Sequence, residues 1–259
     1  MTLRANLSGH TILVPGATSG IGLALALRLR ERGSTVIVGG RRTALLERIA
    51  REHPGLDTVE IDVADPRSIE HAVAEVIDRH PGLDVLVTMA GIMQAEDWSD
   101  TATALATAER AVTTNLLGTI RLIAAVQEHF RARGDATIMT VTSGLAHVPM
   151  RATPTYTATK AAVHQLTESL RLQLAPAGIE MIELVPPAVG TDLMPGHRTS
   201  PGAMDLDAFA DEVVSLLEAE PADPRASREI LVRHVEPLRL AEVRGSYEEA
   251  VARLNPPLG

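Results

Sequence analysis

At 259 residues, 45% of them apolar, the chain is long enough to enclose a sizeable core and short enough to need only one domain. Its 24 basic and 33 acidic residues give a net charge of −9, and without a basic block or basic-aromatic alternation nucleic acid is not an expected partner. The absence of cysteine removes disulfides and thiolate metal sites, and no stretch approaches the roughly 20 apolar residues of a membrane span. Met1 to Gly9 does not read as a secretion leader, so a cytoplasmic protein with no membrane association is expected.

Thr11 to Val14 is a short apolar run ending in Pro15-Gly16-Ala17-Thr18-Ser19-Gly20-Ile21-Gly22, after which Leu25 and Leu29 continue a helical stripe until Gly33 stops it. A strand, a glycine-rich turn and a helix follow from that order. The turn is either tight packing alone or a cradle in which backbone N–H groups meet an anion at the positive end of the helix. Its place between a first strand and a first helix favours nucleotide binding.

Thr35 to Val38 predicts the second strand, followed by Gly39-Gly40-Arg41-Arg42 and a helix from Thr43 to about Glu52. Folds that prefer NAD put a carboxylate at the end of this strand for the ribose 2′-hydroxyl, whereas a 2′-phosphate calls for arginine. Gly40 followed by Arg41 and Arg42 points to NADP, and cations at a helix start otherwise oppose its dipole. Thr58 to Ile61 is the third strand, closing on Asp62-Val63, with a helix from Pro66 to about His80. Asp62 is either an adenine-amine acceptor or a strand-end turn residue.

Leu83 to Met89 is the fourth strand, and the small residues Ala90-Gly91 would let a cofactor lie against the backbone. A mostly helical stretch from Thr101 to Arg133 carries Asn115. Ala136 to Thr142 is the fifth strand and delivers Ser143 to its C-terminal end, the edge at which open parallel sheets bind ligands. The next helix holds Tyr156 and Lys160, and its stripe continues through Val163, Leu166, Leu170 and Leu174. Ile179 to Val185 is the sixth strand, ending in Pro186-Pro187-Ala188-Val189-Gly190-Thr191. Residues 192–204 read as a substrate lid, 206–219 as a helix, Glu229 to Val232 as a last strand, and 238–254 as helix broken near Gly245. Strand and helix alternate throughout, which predicts an α/β fold: a single Rossmann-type domain over residues 1–259, with a doubly wound parallel sheet of about seven strands.

Tyr156 and Lys160 are four positions apart on a helix, so their side chains share one face. A cation at roughly 4 Å and an effective dielectric of about 20 favours a phenolate by roughly 4 kcal/mol, about three pKa units before desolvation and screening reduce it. One lysine would thus bring tyrosine towards neutrality. Ser143 could hold a carbonyl oxygen while Tyr156 gives it a proton, which is general-acid chemistry in need of a hydride donor.

In their order and spacing, Gly16, Gly20, Gly22, Asp62, Ala90-Gly91, Asn115, Ser143, Tyr156-x-x-x-Lys160 and the Pro186 to Thr191 turn resemble the short-chain dehydrogenase/reductase family. Ala152-Thr153-Pro154-Thr155-Tyr156 with Pro186-Pro187-x-Val189 is similar to the bacterial subgroup named from D-alanyl lipoteichoic acid operons. The resemblance implies an oxidoreductase that interconverts a ketone or aldehyde and an alcohol, with Tyr156 as proton donor or acceptor and Ser143 orienting the carbonyl. Lys160 would hold the nicotinamide ribose and lower the Tyr156 pKa, and Asn115 would fix a water that links Lys160 to solvent. Thr18, Ser19 and Ile21 would line the diphosphate; Val189 and Thr191 would hold the carboxamide, beside Pro186. Arg41 and Arg42 make NADPH the expected coenzyme and NADH the lesser one. The expected partners are a small carbonyl or alcohol substrate and, in a homodimer or homotetramer, further copies of the chain.

The chain departs from the family pattern at Pro15, where Thr is common, and at Thr88-Met89, where the family commonly carries two asparagines before Ala-Gly. Thr88 could replace one of the lost hydrogen bonds. The other readings of the same scaffold are a nucleotide-sensing or interaction protein without chemistry, and an epimerase or dehydratase. The nine histidines form no His-Glu-x-x-His motif, so no metal is expected, and most of them are expected on the surface. His147 and Met150 are pocket-lining or plain loop residues, and Trp98 is expected in the core or a pocket wall.

Overall fold

The computed structural model describes residues 3–4, 6–220 and 228–257. Seven strands form one all-parallel sheet in the order β3-β2-β1-β4-β5-β6-β7. They are β1 (Thr11–Pro15), β2 (Thr35–Gly40), β3 (Leu56–Glu60), β4 (Val85–Thr88), β5 (Ala136–Val141), β6 (Ile179–Val185) and β7 (Glu229–Leu231). Parallel neighbours need crossovers, and helices supply them: α1 (Gly20–Glu31), α2 (Thr43–Glu52), α3 (Pro66–Arg79), α4 (Thr101–Ala111), α5 (Gly118–Arg133), α6 (Pro154–Leu174) and α7 (Leu206–Glu218). Two short C-terminal helices, α8 (Glu236–Arg239) and α9 (Tyr247–Leu254), flank Gly245, whose φ of 68° ends the helical run between them.

The sheet is buried on both faces, so its strands read as near-continuous apolar runs, and alternate side chains enter different cores. Ile12, Val14, Val36, Val38, Ile182 and Leu184 join Leu25, Leu29, Phe209 and Val213 on the α1/α7 side. Leu13, Ile37, Ile138, Ile179 and Met181 join Val73, Val76, Leu122, Val126 and Phe130 on the α3/α5 side.

Strand order reverses between β1 and β4, because the chain leaves β3 at one edge and returns on the far side of β1. The carboxyl ends of β1 and β4 diverge there, which is the crevice where open α/β sheets take ligands. The strand bounds of β3 and β4 fall slightly inside or before the sequence-predicted ones, as hydrogen-bonded pairing ends where the chain turns away. The predicted helical stretch 101–133 is continuous but not uniform: Val112–Leu117 is a π-helical turn between α4 and α5. Such widened turns are common at functional sites, and this one carries Asn115. Among the described residues no helix is long and apolar enough to cross a membrane.

Candidate active site

A cleft of about 790 Å³ lies over the carboxyl ends of β1, β4, β5 and β6. Its lining includes Gly16, Thr18, Ser19, Gly20, Ile21, Gly22, Arg41, Arg42, Asp62, Val63, Ala90, Gly91, Ser143, Tyr156, Lys160, Pro186, Val189 and Thr191. Every residue assigned from the sequence to catalysis or coenzyme binding therefore reaches this cleft, except Asn115, which stands behind it.

The glycine-rich turn is a cradle with no room for side chains. Gly16 has φ 93°, and a Cβ there would lie 2.5 Å from Ala90 Cα, so the turn closes directly on the backbone after β4. Ser19 caps α1 without using its hydroxyl, and the first turn holds no acidic residue, so the helix N–H groups point at the cleft without a competing anion. At the end of β2, a Cβ on Gly40 would meet Thr18 Cγ2 at 2.4 Å. Thr18 thus fills the space a carboxylate side chain would take in an NAD-preferring site. Its hydroxyl accepts from Arg42 Nη2 at 3.1 Å, while Arg41 reaches Asp62 at 3.7 Å and is otherwise exposed. These donors fit a dinucleotide with an extra phosphate on its adenosine ribose.

Asp62 is partly committed within its own turn: Oδ1 accepts from Ala64 N at 2.9 Å, and its backbone N donates to Ser68 Oγ. Asn115 is almost fully buried, and its amide is spent on structure. Oδ1 accepts from Ile92 N at 2.8 Å, and Nδ2 donates to Ile92 O at 2.9 Å and Thr159 Oγ1 at 3.2 Å. The π-turn thereby clamps the segment after β4 to α6. Glu96 adds a second clamp by accepting from both the backbone N and the hydroxyl of Thr155, one residue before Tyr156.

Ser143 lies two residues past the end of β5 with extended backbone and accepts from Leu145 N at 3.1 Å, which fixes its hydroxyl. Pro154 starts α6, and the helix puts Tyr156 and Lys160 on the face toward the sheet, 7% and 5% exposed. Lys160 Nζ donates to Val141 O at 2.7 Å and lies 5.6 Å from the centre of the Tyr156 ring. The sequence-based expectation that Lys160 brings Tyr156 towards neutrality is not met in this state. Burial pushes Tyr156 up to about 12, against a smaller opposing effect of the Ser143 hydroxyl. Burial also pushes Lys160 down to about 8, opposed by the charge of Glu183. For each group desolvation outweighs the opposing interaction, the Ser143 hydrogen bond for Tyr156 and the Glu183 charge for Lys160. A neutral phenol is the form that can donate a proton.

Three further expectations need correction. The Thr88 hydroxyl is buried with no hydrogen-bond partner, so it does not replace the asparagine contacts. Trp98 is 54% exposed, and its indole N–H donates to Glu96, so it is neither core nor pocket wall. Several histidines are engaged rather than free on the surface: His10 with Asp84 at 2.6 Å, His80 with Asp57 at 2.6 Å and His164 with Glu183 at 2.8 Å.

Beyond the coenzyme residues, the cleft is lined by Met93, Gln94, Leu145, Met150, Leu193, Leu238, Arg253 and Leu254. Met93 and Leu145 pack on Tyr156 together with Met150, Met194 and Leu254. His147 stays outside this lining and instead packs edge-on against His164. The C-terminal contribution was not legible, because nothing in the pattern of α9 says that its end folds back over the sheet. The proposed lid at 192–204 returns on itself: Met204 N donates to Ala188 O and Gly190 N to Met204 O, and Asp192 pairs with Arg198.

The short chain dehydrogenase profile matches residues 10–201, which include the glycine-rich turn, Arg41, Arg42, Asn115, Ser143, Tyr156 and Lys160. The chain belongs to the short-chain dehydrogenase family. It is 33% identical over 249 residues to an uncharacterized oxidoreductase, DltE, of Bacillus subtilis, covering 96% of this chain and 98% of that one. Among solved structures it is similar to a 3-ketoacyl-(acyl-carrier-protein) reductase from Brucella melitensis complexed with NADH, at TM-score 0.75 and 28% identity, covering 86% of this chain and 94% of that one. It is also similar to a gluconate 5-dehydrogenase from Burkholderia cenocepacia in complex with NADP and tartrate, at TM-score 0.70 and 27% identity, covering 80% and 88%. The family fixes the reaction class as oxidoreduction, and the neighbours include complexes of both coenzymes.

Proposed function

We propose that this short-chain dehydrogenase is an NADP-dependent carbonyl reductase, converting a ketone or aldehyde to the alcohol. The observation that carries the reading is the convergence of Ser143, a neutral buried Tyr156 and Lys160 at one end of a cleft whose other end is the Gly16–Gly22 cradle with Arg41 and Arg42. NADPH, when bound, supplies the hydride. The chain's own residues supply the rest. Ser19 and Gly20 present backbone N–H groups to a diphosphate, Arg41 and Arg42 offer planar forks to a 2′-phosphate, and Val189 and Thr191 line the wall for the carboxamide. Ser143 holds the substrate carbonyl oxygen, and Tyr156 delivers the proton to it as negative charge develops. Lys160 holds a positive charge beside that oxygen and replaces the solvent that Met93, Leu145 and Met150 exclude.

The relatives lend partial support, since a gluconate 5-dehydrogenase and a 3-ketoacyl reductase both act on carbonyl or alcohol groups by their names. A sensor without chemistry would not need Ser143, Tyr156 and Lys160 together, and an epimerase or dehydratase would return its coenzyme unchanged. A panel of ketones and aldehydes with NADPH, followed by coenzyme absorbance, tests the reading. Coenzyme consumption that requires the carbonyl compound supports it, and binding of NADPH with no consumption across the panel opposes it. The reading includes a homodimer or homotetramer built on the helical segment 101–133, where Leu105, Val112, Leu117 and Ile120 are exposed apolar residues, and on α6, where Leu172 is exposed.

A further inference from the structure

Of the two carboxylates in β6, Glu180 is half-buried and Glu183 is fully enclosed. Glu183 stands on the same side as Ile179 and Met181, facing α6, yet it carries a carboxylate that is 0% exposed. A buried carboxylate is costly unless it is bonded on several sides. Thr142, the residue before Ser143, donates its hydroxyl to Glu183 Oε1 at 2.6 Å. His164, one helical turn beyond Lys160, places Nδ1 2.8 Å from Oε2 and 3.0 Å from Oε1. The Lys160 ammonium donates to the carbonyl of Val141, the residue before Thr142. One carboxylate therefore joins the strand end that delivers Ser143 to the helix that delivers Tyr156 and Lys160.

We propose that Glu183 is a positioning residue of the catalytic centre: it locks Ser143 in register with Tyr156 and supplies the negative charge that the buried Lys160 ammonium faces. This rests on the reading of Ser143, Tyr156 and Lys160 as a carbonyl-reducing site. The ionisable groups around Glu183 are consistent with it. From α6 come Lys160 and His164, from the segment after β5 His147, from α8 Arg239 and from β7 Glu229. Burial alone would push Glu183 up, but the His164 bond and charge and the Thr142 hydroxyl outweigh it and hold the carboxylate ionised below its ordinary range. Its charge also opposes the desolvation of Lys160.

His147, His164 and Glu183 bring one nitrogen or oxygen each within 4.8 Å, a set that resembles a transition-metal site. The Arg239 guanidinium acts on both imidazoles as a like charge, His147 is pushed down to about 4 chiefly by burial, and His164 Nδ1 is already given to Glu183. An ion pair accounts for that arrangement without an added cation.

The test compares wild type, Glu183→Gln and Thr167→Val. Thr167 makes a buried side-chain bond between α6 and β5, to Thr140 at 2.8 Å, and so controls for a merely structural loss. NADPH dissociation constants are measured by fluorescence from pH 6 to 10, and kcat and KM over the same range with a carbonyl substrate found active. In Glu183→Gln the alkaline limb of NADPH affinity and of kcat/KM is expected to move to lower pH by roughly one unit, the scale of one buried charge within roughly 10 Å. The sign follows because Lys160, without its anion, loses its proton sooner. At mid-range pH kcat falls at least tenfold while KM for the carbonyl substrate stays within a few-fold, and Glu183→Asp keeps the wild-type limb. Thr167→Val leaves the limb in place.

If Glu183→Gln does not fold, Glu183→Leu/His164→Leu replaces both partners by apolar groups and is expected to move the limb in the same direction, because it too removes the anion that Lys160 faces. An unmoved limb in the variant, the same movement in Thr167→Val, a wild-type affinity without any alkaline limb, or stoichiometric metal in the purified protein overturns the proposal. The binding arm needs no turnover. A protein that binds NADPH with the expected limb but reduces no carbonyl refutes the reductase reading while still deciding the role of Glu183.

Discussion

Lys160 sets its ammonium 5.6 Å from the centre of the Tyr156 ring, and both side chains are almost wholly removed from water. Burial works against each charge, so the pair rests as a neutral phenol beside a lysine whose proton is held weakly for its type. That is the protonation state a reductase needs before the substrate oxygen gains electron density.

Tyr156→Phe removes the transferable proton and little else, because the ring keeps its packing against Met93 and Leu145. Turnover is expected to fall by about 10²- to 10⁴-fold, the usual contribution of a positioned general acid. NADPH affinity should stay within a few-fold by fluorescence titration. A variant retaining a tenth of wild-type turnover with chemistry rate-limiting would remove Tyr156 from the role.

Lys160→Ala should damage both turnover and coenzyme affinity, since one ammonium faces the phenol and the ribose side of the cleft. Unchanged NADPH binding would separate these two tasks. Because burial pushes Lys160 down to about 8, the wild-type affinity should weaken as pH rises through that region.

The coenzyme preference is expected to lie in Arg41 and Arg42. A charge-assisted contact is worth about 1.5 to 3 kcal/mol, roughly a 10- to 150-fold preference for NADPH over NADH. Each single alanine variant should lose part of it, and the double variant nearly all, with NADH kinetics little changed. Gly40→Asp alone should not create an NADH enzyme, because its Cβ would meet Thr18 Cγ2 at 2.4 Å. Gly40→Asp combined with Thr18→Ala relieves that contact and should shift the kcat/KM ratio toward NADH. Equal kcat/KM for both coenzymes in the unmodified protein would show that the arginines are surface charges.

His10 and Asp84 form a buried pair at 2.6 Å that joins the chain before β1 to the start of β4. The Asp84 bond, followed by its charge, raises the His10 pKa above its ordinary value despite burial. A raised folded-state pKa means that the stabilisation is full below the unfolded value near 6.5 and is lost as pH rises through the folded value. The melting temperature should therefore fall from pH 6 to pH 8.5, and His10→Asn should flatten that slope while costing about 1.5 to 3 kcal/mol at pH 6. An unchanged slope would show that other groups carry the pH dependence.

Association of copies has a simple check. Light scattering at micromolar concentration should give the mass of a dimer or tetramer, and Leu117→Glu with Ile120→Glu should reduce it. A monomer mass for the wild type would remove the proposal.

Much of this was legible because local signals and long-range order agree. Gly16 to Gly22 marks a turn only glycine can make, and Ser143 at the end of a β-run predicts its place at the sheet edge. Tyr156 and Lys160 need only helical spacing to share a face. Glu183 could also have been noticed, as one of two carboxylates within Ile179–Val185, where a doubly buried strand has no cheap place for a charge. Other features depend on contacts distant in sequence. That Thr18 closes the space beside Gly40, that the Asn115 amide is spent on Ile92, and that Leu254 returns to Tyr156 follow from packing across the sheet edge. The Tyr156 pKa failed for a related reason: spacing places a cation on the same helix face, but the burial that raises the phenol is a property of the whole fold.

The most direct measurement follows a single turnover with NADPH deuterated at the transferring position, recording coenzyme absorbance and the mass of the product together. One deuterium on the carbinol carbon is expected for each NADPH consumed, with a slower rate than with unlabelled coenzyme where chemistry limits, and formation of that product slowed by about 10²- to 10⁴-fold in Tyr156→Phe. Product formed with the coenzyme unconsumed, or an alcohol without the label, would contradict that expectation.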